Sequence, residues 1–445
     1  METMGNLLIL FPASLCLFLF VALLNVFYKY WWIPHRVQFI MNSQGIRGPP
    51  YEFIHGNNKE AAQMLMEAST KPMALTQDIF PETYLSWNGI RALLLITDPD
   101  LVNEVLKNSE KAFPKPKASY FFDKLLGGGL GSIESEKWAR LRKLAHYAFH
   151  GESLKNMIPA VVARVETMLE KWKSKEGKEI EVFQEFRLLT SEVISRTAFG
   201  SSYLEGEKIF DMLMKLTVIA GRNIYKAEIL IISKFWKSAD EIAKMIHDSV
   251  MKIVKKREAK VVTGETDNFG QTVNSLLAWA TLLLAIHTDW QDKARAEVIE
   301  VFGNQNPDSE GMAKLKTITM IINETLRLCP PISGMIRKVG REVRLGTLVL
   351  PTHSRVDMRI IALHHDPDLW GDDYNAAAFM PFGLGPRCSV GMSFTIIQAK
   401  IALSMILQRY TINLSPSYVH APLQRLTLRP QHGIQLLFHS LRYDA

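Results

Sequence analysis

Cys388 stands in a glycine-rich stretch, Phe382-Gly383-Leu384-Gly385-Pro386-Arg387-Cys388-Ser389-Val390-Gly391, that runs into an apolar helical pattern of Phe394, Ile397, Ala399, Leu403, Ile406 and Leu407. Unpaired N–H groups and the dipole at a helix start favour a thiolate. A thiolate so held can be the axial ligand of a haem iron and push electron density toward O–O cleavage. The plainer alternative is a glycine turn with a buried structural cysteine. A second constellation is Glu324-Thr325-Leu326-Arg327, whose spacing puts the acid and the base on one helical face. Read alone, it is a surface ion pair worth little. Trp138 and Arg142, four apart, also share a face. Adjacent His364 and His365 could suggest a metal, but neighbours point to different sides and no third ligand has useful spacing.

The elements that must position these residues follow from composition and pattern. The chain has 445 residues, 47% hydrophobic and 22% charged, as suits a globular protein with a large core. No linker between globular regions is visible. The formal net charge is +7, but the basic residues are scattered apart from Lys255-Lys256-Arg257, which reads as a solvated helix face. No nucleic-acid motif is present, and nucleic acid is not an expected partner. Three cysteines, with Cys16 in an apolar N-terminus, exclude a disulfide framework.

Leu7 to Tyr28 is almost unbroken apolar sequence, long enough to span a bilayer. A signal peptide would carry leading positive charge and a small-residue cleavage site. Here Glu2 leads, and Lys29, Tyr30, Trp31, Trp32 and Arg36 follow like a cytosolic interfacial anchor. The expectation is an uncleaved single-pass anchor over 1–33, with the body in the cytosol. Gly45-Ile46-Arg47-Gly48-Pro49-Pro50 makes 34–50 a semi-rigid proline-rich spacer.

Asn88-Gly89 between Tyr84–Trp87 and Ile90–Ile96 predicts a hairpin. Asp98-Pro99 then starts a helix as N-cap and first helical residue. Residues 152–173 read as an amphipathic helix with Met157, Val161, Val165, Met168 and Trp172 on one face, and Val193 to Phe199 lies in another. Ser275 to Val298 is strongly helical, and Val343 to Pro351 is hairpin-like. The fold class is therefore mainly α with a small β-sheet region.

Together these motifs resemble the cytochrome P-450 family, in particular its plant clan of hormone and terpenoid hydroxylases. The haem loop of that family reads F-x-x-G-x-R-x-C-x-G. Phe382, Gly385, Arg387 and Gly391 fall in register; the ligand position is Ser389, and Cys388 lies one residue early. The resemblance gives Trp138 and Arg142 as a W-x-x-x-R pair that contacts a propionate, with Arg387 beside them. Glu324 and Arg327 become the E-x-x-R pair that ties its helix to the loop before the cysteine. Leu328-Cys329-Pro330-Pro331 resembles the family's L-x-P-P segment, with Cys329 structural.

Two family features are missing from the sequence. No acid-threonine pair precedes the apolar part of the long central helix; Gly270-Gln271-Thr272 is its remnant, and Glu265-Thr266 is a decoy in a turn-rich stretch. The P-x-R-F block is also absent, because Asp373-Tyr374-Asn375 runs almost directly into Ala376 to Pro381. The resemblance thus implies a P-450 fold lacking internal segments, with the haem domain over 51–445. It implies a monooxygenase of the endoplasmic reticulum membrane. Cys388 would hold the haem iron, NADPH would supply electrons through a reductase, and one oxygen atom would enter a lipophilic steroid, terpenoid or related hormone. The alternative is a P-450-like membrane protein without catalysis, whose haem lacks a proper thiolate.

Overall fold

Asn88 and Gly89 turn the chain back on itself, with Gly89 at φ +58°, and the flanking strands Thr83–Asn88 and Arg91–Ile96 pair antiparallel with Leu85 opposite Leu94. The computed structural model describes residues 2–57, 83–108, 111–117, 123–124, 129–197, 212–213, 215–217, 219, 234–255, 269–370, 375–424 and 427–441. Contacts divide the chain into two units.

The first unit is built from described residues of 1–66, 80–116 and 336–358. The hairpin is extended by strands Arg355–Met358, parallel to Arg91–Ile96, and Met335–Lys338. Leu85, Trp87, Leu94 and Ile96 are buried on it. Asp98 caps helix Pro99–Lys107 as expected, its Oδ1 accepting from the Leu101 N–H at 2.8 Å. Val343–Leu345 and Leu348–Leu350 form the second hairpin.

The N-terminus is one long helical run: Glu2–Phe27, a π-helical turn over Tyr28–Trp32, then Ile33–Ser43. It contains a span long and apolar enough to cross a membrane, with side chains such as Phe18 and Leu23 facing outward. The helix enters the stretch read as a spacer, and only 44–50 is irregular. That remainder is docked: the Leu85 N–H donates to the Arg47 carbonyl at 2.9 Å. Gly48 permits this approach, since a Cβ there would lie 1.9 Å from the Leu85 oxygen. A run of ring contacts, Phe27–Trp31–His35–Tyr51–Trp87, links the helix to the sheet. The Tyr51 hydroxyl donates to the Tyr30 carbonyl at 2.8 Å.

The second unit takes described residues of 117–335 and 359–445. Its centre is helix Phe269–Ile286, in which Val273 to Leu282 are all buried, the polar Asn274, Ser275 and Thr281 included. Helices Val182–Thr197, Met392–Leu407 and Thr317–Leu328 pack on it, and Gly151–Lys173 packs on the first two of these. An Arg164–Glu192 ion pair joins helices Gly151–Lys173 and Val182–Thr197. Trp172, expected on the apolar face, is fully buried against Phe438. Strand Gln435–Ser440 lies between Glu179–Glu181 and Tyr410–Leu414.

The helical pattern read as continuous from Ser275 to Val298 is broken. His287 leaves helical geometry at ψ 76°, and Thr288–Phe302 is a separate helix. Gln291 locks the corner by donating to the carbonyls of Leu284 and Ile412. Ala198, Phe199, Lys256, Arg257, Glu265, Thr266, Asp373 and Tyr374 lie outside the described residues.

Candidate functional site

The Phe382–Gly391 loop is shaped by its glycines. Gly383 and Gly385 hold φ of +75° and +70°, where a side chain would be strained. Gly391 does not; at φ −88° it is the N-cap of helix Met392–Leu407. A short 3₁₀ turn, Gly385–Arg387, lets the Cys388 N–H donate to the Gly385 carbonyl at 3.1 Å. The Ser389 N–H reaches back to the Phe382 carbonyl at 3.0 Å and closes the loop on itself. Phe382 packs against the core, while Gly385 is exposed.

Helix Ser135–Ala148 supplies the loop's partners. Arg142 Nη1 donates to the Cys388 carbonyl at 2.7 Å, although the two residues are 246 apart in sequence. Arg387 places its guanidinium carbon 4.0 Å above the ring of buried Trp138 and donates to the Ile133 carbonyl at 2.9 Å. The i,i+4 spacing thus puts Trp138 and Arg142 against one loop, and Arg142 is not simply solvent-facing. Two guanidiniums, an indole N–H and a thiol within one loop and one helix face suit an anionic, planar group such as a haem with its propionates. The thiol lies at Cys388, one residue ahead of Ser389.

The charge state of that thiol departs from the sequence expectation. Burial raises the Cys388 pKa, and the Arg142 charge and the Ser389 N–H only partly offset it. Burial also lowers the Arg142 pKa. Cys329 is more extreme: apolar burial alone pushes it up to about 12.

A second constellation forms at the end of helix Thr317–Leu328. Arg327 meets Glu324 through two hydrogen bonds, Nε to Oε2 at 2.8 Å and Nη2 to Oε1 at 2.6 Å. Its Nη1 donates to the His364 carbonyl at 2.7 Å, and its guanidinium carbon lies 5.1 Å from the Trp370 ring centre. His364 is fully buried, stacks on Phe379, and accepts the Met380 N–H on Nε2 at 3.1 Å. Burial lowers its pKa to about 4. His365 Nε2 contacts the Leu328 carbonyl at 2.8 Å.

The tie from Arg327 toward the glycine loop therefore runs through His364 to Met380, two residues before Phe382. Sequence reasoning weighed the two histidines only as metal ligands. The signal overlooked was their place just before Asp366-Pro367 and Trp370, where the chain turns back along the helix. Among the described residues no group of three or more His, Cys, Asp or Glu is placed to hold a metal ion. Thr272 lies half-buried in the first turn of helix Phe269–Ile286.

A family model described as Cytochrome P450 matches residues 47–272 and 270–438, two stretches that meet at the start of helix Phe269–Ile286. The chain is 44% identical to Cytochrome P450 CYP749A22 of Panax ginseng over 505 aligned positions, covering 96% of each chain. Because 505 positions exceed the chain's 445 residues, that relative carries segments without a counterpart here. Identity to Cytochrome P450 734A1 of Arabidopsis thaliana is 35%, over 92% of this chain and 93% of that one. Identity to the 11-oxo-beta-amyrin 30-oxidase of Medicago truncatula is 34%, over 93% and 94%.

Proposed function

Because the chain belongs to the cytochrome P450 family, we propose that it is a membrane-anchored haem monooxygenase acting on a lipophilic small molecule of the steroid or terpenoid class. The observation that carries this reading is the convergence of Arg142, Arg387 and Trp138 on the loop bearing Cys388. The amyrin oxidase among its relatives supports the terpenoid class. When bound, the haem supplies the iron at which dioxygen is reduced and cleaved, with electrons from NADPH through a reductase.

In this reading 51–445 is the haem domain, and the N-terminal helix holds it on the cytosolic face of the endoplasmic reticulum. Arg142 and Arg387 neutralise the propionates, and Trp138 backs Arg387. Cys388 supplies the thiol, with Phe382 and Gly385 setting the loop around it. Cys388 would hold the iron as a thiolate, and the Arg142 charge would lower the cost of losing the thiol proton. Gly383 and Gly385 give the loop the latitude to bring Cys388 to the position that Ser389 holds in the family pattern. Glu324 and Arg327 act by fixing the fold.

A second reading, a family member without catalysis, is favoured by the hydroxyl of Ser389 at that position and by the break in the family match at 270–272. The test is the absorption spectrum of the reduced, carbon monoxide-treated protein. A strongly red-shifted band is expected if Cys388 ligates the iron. A short-wavelength band, or none, supports the second reading. The double variant Cys388→Ser, Ser389→Cys restores the family register and should raise haem incorporation; unchanged incorporation would locate the defect in the missing segments instead.

A further inference from the structure

Helices Phe269–Ile286 and Thr317–Leu328, together with Trp290, Trp370 and Phe379, line an open-mouthed cavity of about 530 Å³ within the second unit. This is the size of a small-molecule site. Its wall is mostly apolar, from Leu283, Ile321 and the three aromatic rings, and its mouth carries Met320, half-exposed at 51%.

Its polar groups are unequal. Arg327 also lines the cavity, but each of its three nitrogens already donates to a protein oxygen, on Glu324 or His364. The Glu324 carboxylate accepts only from Arg327 in these bonds, its side chain is 52% exposed, and a carboxylate has about four lone-pair sites. Asn323 and His287 line the cavity too and can donate as well as accept, but Glu324 is the one acidic residue among the described residues that line it. Both indoles already attract cations: Lys293 Nζ lies 4.7 Å from the Trp290 ring centre, and Arg327 stands over Trp370.

We propose that this cavity is a binding site for a lipophilic organic cation, an amine or guanidine on an apolar body. The cationic head would donate to Glu324, and the body would lie among Trp290, Trp370 and Phe379. The site is separate from the Cys388 loop, and the proposal does not depend on haem.

The probe is dansylcadaverine, titrated into the full chain in lipid nanodiscs and read by dansyl emission against empty nanodiscs. Saturable binding is expected, with the neutral N-acetylated probe weaker by about tenfold, as loss of a charge-assisted hydrogen bond implies. Glu324→Gln should weaken the cation similarly. If that variant does not fold, two surface variants carry the test. Met320→Lys sets a like charge at the mouth, and Trp290→Ala removes an aromatic wall; each should lower affinity about fivefold or more without changing thermal unfolding. Equal binding of the acetylated probe, parent-like binding by both surface variants, or only unsaturable partitioning would overturn the proposal.

Discussion

The Arg327 corner and the Cys388 loop use arginine in different ways. At the corner, the cation meets a carboxylate through two bonds, a carbonyl through a third and an indole face. Charge and donors are answered together, and Arg327 is only 19% exposed. At the loop, Arg142 donates to a backbone carbonyl, which accepts a hydrogen bond but carries no countercharge. The corner is a closed network whose value is rigidity. The loop sets the Arg142 cation against a backbone that turns through two left-handed glycines. The difference teaches that family resemblance at the two places has different physical content: one closes a network of side chains, the other holds the residues that the proposed function gives to the haem.

Acidification should break the comparison most strongly, because it strikes the corner and spares the loop. His364 titrates near 4 when folded and near 6.5 when unfolded. Between those values the unfolded chain binds more protons, so stability present above pH 6.5 is lost as pH falls toward 4. The loss is on the order of 3 kcal/mol. Urea unfolding at a series of pH values measures it, and His364→Gln, which keeps an acceptor for the Met380 N–H, should flatten that profile. A parent profile that is already flat would remove His364 from the lock.

Glu324→Ala comes next. It leaves Arg327 partly buried without its acid, and should cost roughly 2 kcal/mol, a figure reduced because Glu324 is half in solvent. Unchanged unfolding would make the pair an ordinary surface bridge. Arg142→Gln should be mildest, about 1 kcal/mol for a single hydrogen bond. Its sharper effect is on chemistry: without that cation the Cys388 thiol rises further, so its alkylation profile, followed by peptide mass mapping, should move to higher pH. Cys329, held near 12 by burial, should stay unmodified throughout and serves as the internal reference.

Short-range pairings were legible in the sequence because helical and hairpin spacing fix them. Glu324 with Arg327, the Asn88-Gly89 turn and the Asp98 cap all follow from neighbours within four residues. The contact of Arg142 with Cys388 spans 246 residues, and no local pattern encodes it; there the family resemblance supplied the association. The amide partner of His364 was not legible because an imidazole looks the same in sequence whatever it meets. The break at His287 was invisible because the apolar pattern continues on both sides of it, while the corner is fixed by Gln291 reaching distant carbonyls. Thiol acidity was misjudged for a related reason: desolvation depends on which side chains arrive from elsewhere.

The N-terminal helix has a mechanical consequence. A run from Glu2 to Ser43, interrupted only by one wider turn and stapled by aromatic rings to the sheet of the first unit, behaves as a rod with a welded end. Where such a rod spans a bilayer and meets a thinner one by tilting, the sheet welded to it tilts with it. Lipid thickness would then act as a dial on the attitude of that sheet.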